Sequence, residues 1–409
     1  MDRIVERVAG LDVHKKTVSV CVRLPGPRGG RTQEVRTFGT TTTELFAMRD
    51  WLVAQGVTEV GMESTGVYWK PVFYILEEAV TCILANAAHI AQVPGRKTDV
   101  KDCVWIAQLV EHGLVRGSFV PPPAIRELRD LTRYRKTLIQ DRVRSANRLH
   151  KVLEDAGIKL ASVANDVLGV SGRAMLDALV EGTTDPAVLT DLARGRLRAK
   201  LPALRQALTG RFRPHHAFLV SQLLAQIDFV EEAIDQVSEH VAGVMAPFTA
   251  ELERLDAIPG INRRTAEVII AEIGVDMAVF PTAKHLASWA GLCPGNRESA
   301  GKHKPTTTRK GDRWLRTALV EAALSGSRVS RSALAARYRR IMRHRGHKKA
   351  VIAVAHAILV SVYHILARQV AYQDLGPAYY DRRHTERVRR HAIAALERQG
   401  YRVRLEPAA

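Results

Sequence analysis

Cysteine is scarce in this chain: Cys21, Cys82, Cys103 and Cys293 are four of 409 residues, with no spacing that suits a zinc site or a disulfide framework. They read as small apolar side chains in a reducing compartment. Aromatic residues make up only 6% of the chain, which offers little for the stacking platforms that bind unpaired bases. No apolar run reaches the roughly 18 residues that a membrane-spanning helix needs. The longest candidate, Val351 to Leu366, is broken by His356, Ser361 and His364 and reads as a buried helix. A signal-peptide pattern is missing too, because Met1 to Arg7 mixes both charge signs and runs into a strand pattern. Acids are outnumbered: 42 Asp and Glu face 61 Lys and Arg, a formal net charge of +19. With membranes set aside, that surplus points to nucleic acid as the polyanionic partner and to the cytoplasm, on the nucleoid, as the location. Charge alone does not distinguish RNA from DNA, because counterion release favours either.

What is present suggests two to three domains. Residues 1–120 alternate strand and helix patterns: strands at Val8 to His14, Thr17 to Arg23 and about Glu34 to Phe38, a helix at Thr42 to Gln55, and a strand at Val57 to Glu63. A helix at Val67 to Ala79, a strand at Thr81 to Asn86 and a helix at Asp99 to His112 follow. The order βββαβαβα predicts an α/β or α+β layer with a mixed central sheet. Pro121, Pro122 and Pro123 mark a boundary. Residues 124–255 read as a helical arm. Its first helix, to about Ala156, sets Arg129, Arg133 and six other bases beside Leu128, Leu131, Leu138 and Leu149, as in a coiled coil with one cationic face. Its second runs from His216 to about Leu255. Residues 256–345 open on LDAIPGINRRTAEVIIAEIG, where Pro259 and Gly260 turn between two helices as in a helix-hairpin-helix. Such a turn can aim N–H groups at a phosphate, and a plain helix–helix turn uses the same residues. A Gly-, Pro- and Lys-rich loop follows Trp289, and residues 346–409 form a last helical segment.

Four carboxylates stand out. Asp12 lies within a strand between Leu11 and Val13, where a charge is costly unless compensated. Glu63 ends another strand, and Asp99 and Asp102, three apart, share one face of a helix start. Acids at a helix start also answer the helix dipole. Gathered at one sheet edge, the four would hold two divalent ions; oxygen ligands favour Mg²⁺, with Mn²⁺ an alternative.

GLDVHKKTVSVCV, VGMESTGVYW, PGRKTDVKD, IPGINRRTAEVIIAEIG, SWAGLCPGNRESAGKHK and RKGDRWLR together resemble the DEDD, or 110/1111, insertion-sequence transposases, a pattern shared by the Piv DNA invertases. The resemblance implies a bacterial protein with a ribonuclease-H-like (RuvC-like) first domain whose metal-binding acids are Asp12, Glu63, Asp99 and Asp102. It also implies a mainly helical transposase domain with Ser299 as nucleophile. Members of the bridge-RNA type pair a noncoding RNA with donor and target DNA and recombine through a phosphoserine link in a homo-oligomer, dimer to tetramer. Around Ser299, Gly295, Ala300 and Gly301 leave room for phosphate. Arg297, Lys302, Lys304, Arg309 and Lys310, with Arg129 and Arg133 of the arm, are the expected nucleic-acid contacts. A serine in a Gly-rich loop is otherwise a turn residue, and its hydroxyl needs activation by a base or metal. Two other functions fit parts of the pattern: a structure-specific endonuclease, which needs the acids without Ser299, and a noncatalytic nucleic-acid scaffold, which needs neither.

Overall fold

Runs rich in valine and threonine form β1 (Val8–Val13), β2 (Thr17–Pro25) and β3 (Arg31–Gly39), followed by α1 (Thr42–Ala54), β4 (Glu59–Glu63), α2 (Trp69–Leu76), β5 (Thr81–Ala85), a single turn α3 (Ala87–Ile90) and α4 (Asp102–Glu111). This is a computed structural model, which describes residues 4–64, 66–90, 102–295, 298–299, 302–303 and 307–404. The chain divides into two units, Met1–Val120 and Pro121–Ala409.

The first unit is a five-stranded sheet in the order β3-β2-β1-β4-β5. β1, β2 and β3 form an antiparallel meander, and β4 and β5 continue parallel to β1. Alternation along each strand assigns its two faces. Ala9 and Leu11 of β1, Val18, Val20 and Val22 of β2, and Val60 and Met62 of β4 pack with Leu45, Met48 and Leu52 of α1 and Val72 and Leu76 of α2. The opposite face carries α4. There Val8 meets Ile106, Leu109 and Val110, and Cys21 meets Cys103, Val104 and Ala107. Cys21 and Cys103 are free thiols. Burial above all, then its thiol neighbour, pushes Cys21 up to about 12, so it behaves as the apolar filler its scarcity implied. α4 lies unusually close because Gly10 and Gly61 present no side chain: a β-carbon at Gly10 would stand 2.2 Å from Cys103 O and Ala107 N, and one at Gly61 2.4 Å from Val110 Cγ2. At the end of α4, Glu111 is 1% exposed and ion-paired to Arg23 (2.7 Å) and Arg31 (2.8 Å).

Among the described residues, the second unit is helical apart from one short pair of strands. α5 (Pro123–Asp155) and α10 (Pro214–Val244) run antiparallel, shown by contacts that descend α10 as they climb α5: Leu138 with Val230 and Ile234, Ser145 Oγ with Gln226 at 3.1 Å, and Asp155 with His216 at 3.0 Å. Between them α6 (Leu160–Val163), α7 (Val170–Val180), α8 (Pro186–Asp191) and α9 (Leu201–Ala207) build a small core of their own with the ends of both long helices. The second long helix stops at Val244 rather than near Leu255: a tight turn at Ala246–Phe248 containing Pro247 separates it from α11 (Thr249–Asp256). α12 (Arg263–Ile273), α13 (Ala283–Trp289), the strands β6 (Glu298–Ser299) and β7 (Lys302–His303), α14 (Arg313–Gly326), α15 (Ala333–Arg345), α16 (His347–Arg368) and α17 (Tyr379–Glu397) follow. In length and composition α16 does meet the requirements for crossing a membrane, which corrects the count of apolar runs above. Its Val354, Ala355, Ile358, Leu359 and Val362 are fully buried, as in a core helix.

Candidate active site

Leu11 stands opposite Met62 in the parallel β1–β4 ladder, so the next residues, Asp12 and Glu63, occupy neighbouring positions at the carboxyl edge of the sheet. Both lie two residues beyond the glycines beneath α4 and therefore share that face. α4 runs back across it, with its end beside Val8 and its first half beside Gly10. That direction brings its start, with Asp102 exposed in the first turn, toward the edge that carries Asp12 and Glu63. Asp99 lies outside the described residues. Three carboxylates thus lie toward one edge from two strands and one helix, their oxygens not all within 4.8 Å of one another, and they offer the oxygen donors that hard divalent cations prefer.

Asp12 has a partner that the reading of the acids overlooked. His14, just past β1, brings its Nε2 to 3.1 Å from Asp12 Oδ2, while its backbone N–H bonds Thr17 O at 2.9 Å and closes the turn into β2. The i, i+2 spacing in LDVH was the available signal, since it returns a side chain to one face.

A second cluster looks like a metal site and fails a chemical test. Asp155, His215 and His216 form the one trio of His, Cys, Asp or Glu among the described residues whose ligand atoms all lie within 4.8 Å of one another. His216 Nδ1, however, accepts the Arg213 N–H at 3.1 Å. That fixes its proton on Nε2, which donates to Asp155 at 3.0 Å and has no lone pair for a metal. The cluster is a clasp between the ends of α5 and α10.

In the second unit, Ser299 sits in a strand pair rather than an open loop. Glu298 pairs with His303 and Ser299 with Lys302, and the base is tied by a Pro294–Thr308 bridge and Gly295 N–H to Thr307 O at 3.0 Å. Arg297 and Lys304 lie outside the described residues, and of Ser299 and Lys302 only the backbone is described. Arg309 and Lys310 are exposed just ahead of α14.

Arg129 and Arg133, expected on a cationic face, turn inward. Arg133 grips fully buried Glu272 with two bonds of 2.7 Å and reaches Asp312 at 3.0 Å. Arg129 lies 3.1 Å from the same carboxylate and donates to Ala271 O at 3.3 Å and Glu272 O at 2.5 Å. Burial pushes Glu272 above the usual carboxylate range, opposed chiefly by the Arg133 hydrogen bonds. These arginines fasten α5 to the end of α12. The Pro259–Gly260 turn is likewise occupied internally: a β-carbon at Gly260 (φ +94°) would stand 2.2 Å from Ala322 O and 2.4 Å from Gly326 N of α14. Asn262 caps α12 by accepting from Thr265 N–H at 2.9 Å. One side of the turn is packing surface, and one of the first N–H groups of α12 is taken by the Asn262 side chain.

Two family models match the chain. One, a transposase model of the DEDD type named for IS110, covers residues 9–158, and the other, described as transposase IS116/IS110/IS902 family, covers residues 252–339. The first spans all four acids and the second spans the Ser299 hairpin. The chain is 28% identical to the insertion element IS110 uncharacterized 43.6 kDa protein of Streptomyces coelicolor, over 70% of this chain and 74% of that protein. It is 25% identical to the transposase for insertion sequence element IS1328 of Yersinia enterocolitica, over 47% of this chain and 48% of the relative. With the pilin gene-inverting protein of Moraxella bovis it shares 33% identity over 27% of this chain and 35% of the relative.

Proposed function

Since the chain belongs to the DEDD transposases of the IS110/IS116/IS902 family, and is a DNA transposase of an insertion sequence, we propose that it cuts and rejoins DNA with a two-part active site. One part is the carboxylate edge of a RuvC-like first unit and the other is Ser299. The observation that carries this reading is that Asp12 and Glu63 hold neighbouring positions at one edge of the sheet and that the start of α4, with Asp102, points toward the same edge. Asp99, three residues ahead of Asp102, completes the set of four. The donors are oxygens without competing thiolate, the chemistry that suits Mg²⁺, or Mn²⁺, and two such ions supply an activated oxygen and neutralise the leaving one. His14 orients Asp12.

Ser299 supplies the attacking hydroxyl. Its Oγ bonds to phosphorus, the sugar oxygen leaves with a proton as a free hydroxyl, and rejoining reverses the exchange. In sequence, Ser299 is followed by the small residues Ala300 and Gly301 and by Lys302 and Lys304, residue types that suit a phosphate in size and charge. The net charge of +19 suits a protein that also carries a noncoding guide RNA. Full assembly is a homo-oligomer, dimer to tetramer, acting on the nucleoid.

The test is recombination between plasmids bearing the element junction and a target site, with the flanking RNA supplied. Asp12→Ala and Ser299→Ala should each abolish joining, and a covalent protein–DNA adduct seen with wild type should vanish with Ser299→Ala. Normal joining by Ser299→Ala would remove the serine from the chemistry. Cleavage without joining would make the protein a nuclease, and RNA-independent joining would remove the guide.

A further inference from the structure

Between Glu321 and Asp374 the sequence contains no Asp or Glu, yet it holds ten Lys and Arg. Elsewhere acids and bases are better matched, at 42 to 61 for the whole chain, so a run this one-sided is a feature of the place. Its densest part is the junction of α15 and α16. Arg343, His344 and Arg345 form the last turn of α15, Gly346 reverses the chain at φ +79°, and His347, Lys348 and Lys349 open α16. All seven are exposed, and burial resumes at Ala350. Among the described residues, Arg343, Arg345, Lys348 and Lys349 form no ion pair, in contrast to Arg129, Arg133 and Arg135 of α5.

This arrangement works against the fold. Cations suit the end of α15, but the lysines of α16 sit at its positive pole, where no acid and no side-chain cap offsets them. A local rule broken without internal compensation points to a requirement outside the molecule. The surface offers little for a membrane, because Met342 is the only large exposed apolar side chain in the junction and the apolar face of α16 is buried. It offers little for unpaired bases, because its one aromatic residue, Tyr338, holds His347 Nδ1 at 2.7 Å through its hydroxyl. What remains is a dense cluster of exposed cationic ends, the chemistry that meets closely spaced phosphates.

We infer that the α15–α16 junction is a docking surface for the phosphate backbone of duplex DNA, separate from the cutting residues and lying almost wholly beyond the family-matched segment, which ends at residue 339. It rests on the protein's handling of DNA and on neither the carboxylates nor Ser299.

The experiment is fluorescence anisotropy of the full chain with a labelled duplex of unrelated sequence across a salt series. Wild type is compared with Arg343→Gln/Arg345→Gln/Lys348→Gln/Lys349→Gln. Each phosphate contact contributes a log–log slope of about 0.9, so the quadruple variant should be shallower by about 3 to 4. Should it fold poorly by circular dichroism, Lys348→Gln/Lys349→Gln should be shallower by about 2. A control removing four exposed arginines elsewhere, Arg194, Arg196, Arg198 and Arg205 to Gln, should leave the slope within about 1 of wild type. An unchanged slope in the junction variant, an equal drop in the control, or a loss confined to single-stranded RNA would each overturn the assignment. Asp12→Ala should keep the wild-type slope, so the cutting and docking readings fail separately.

Discussion

Across the two units, acids held by arginine contrast with one acid of the sheet edge that is not. Glu111 in the sheet unit lies between Arg23 and Arg31, and Glu272 in the helical unit lies between Arg129 and Arg133. Asp12, half-buried on the same face of the sheet as Glu111, has His14 as its hydrogen-bond partner and no arginine. A buried carboxylate held by two guanidiniums is neutralised and joins elements distant in sequence. One at a sheet edge with only a hydrogen-bonding histidine keeps its charge available to a cation from outside the chain. Glu111 and Glu272 are thus held by arginines that fasten the fold, whereas Asp12 has a histidine contact and no arginine.

The largest effect that would break this comparison concerns stability. Glu272→Ala removes the shared partner of two arginines and should cost about 3–5 kcal/mol in urea unfolding, as should Glu111→Ala. Asp12→Ala should cost much less, because it removes a charge that nothing in the fold neutralises, while it abolishes joining. A loss from Asp12→Ala as large as that from Glu272→Ala would mean that Asp12 is a structural acid after all.

A smaller effect tests how the edge is assembled. Gly10 lets α4 lie directly on β1, and a methyl group there would collide with backbone atoms of Cys103 and Ala107 rather than with a side chain that could turn away. Gly10→Ala should cost about 1–3 kcal/mol. It should also reduce joining by more than the lost stability explains, because the shift falls on the start of α4 beside Asp102. A thermal melt paired with the recombination assay separates the two effects. A stable variant with full activity would show that the position of α4 does not matter to the edge.

The strands, α1, α2 and the start of α5 were legible within a few residues because each rests on local periodicity, but that the strands of Asp12 and Glu63 are neighbours, with Asp12 near the end of its strand, is visible only in the sheet itself. The inward turn of Arg129 and Arg133 was not legible. Their partner Glu272 lies on another helix, 139 residues from Arg133, and a basic stripe on a helix looks the same whether it meets solvent or a buried acid. The hairpin around Ser299 was hidden for a similar reason: its strands are two residues each, too short for alternation to register. The turn at Gly260 was located correctly from Pro-Gly, but only the fold shows Gly326 of α14 closing one side of it.

The finest distinction concerns His14, the one hydrogen-bond partner of Asp12 among the described residues. At 66% exposure its imidazole is held only by that contact and adds little to stability, so the fold gives no reason for histidine at this position. Its contact is with Oδ2 of Asp12, at the edge that also carries Glu63. Groups that orient a metal ligand in this way typically change affinity by about 10- to 100-fold when removed. His14→Ala should therefore leave the melting curve unchanged and raise the Mg²⁺ concentration for half-maximal joining by about 10-fold, with joining restored at high Mg²⁺. Loss of joining that no Mg²⁺ concentration restores would place His14 among the reacting groups. An unchanged Mg²⁺ requirement would reduce it to a turn residue and leave Asp12 positioned by the strand alone.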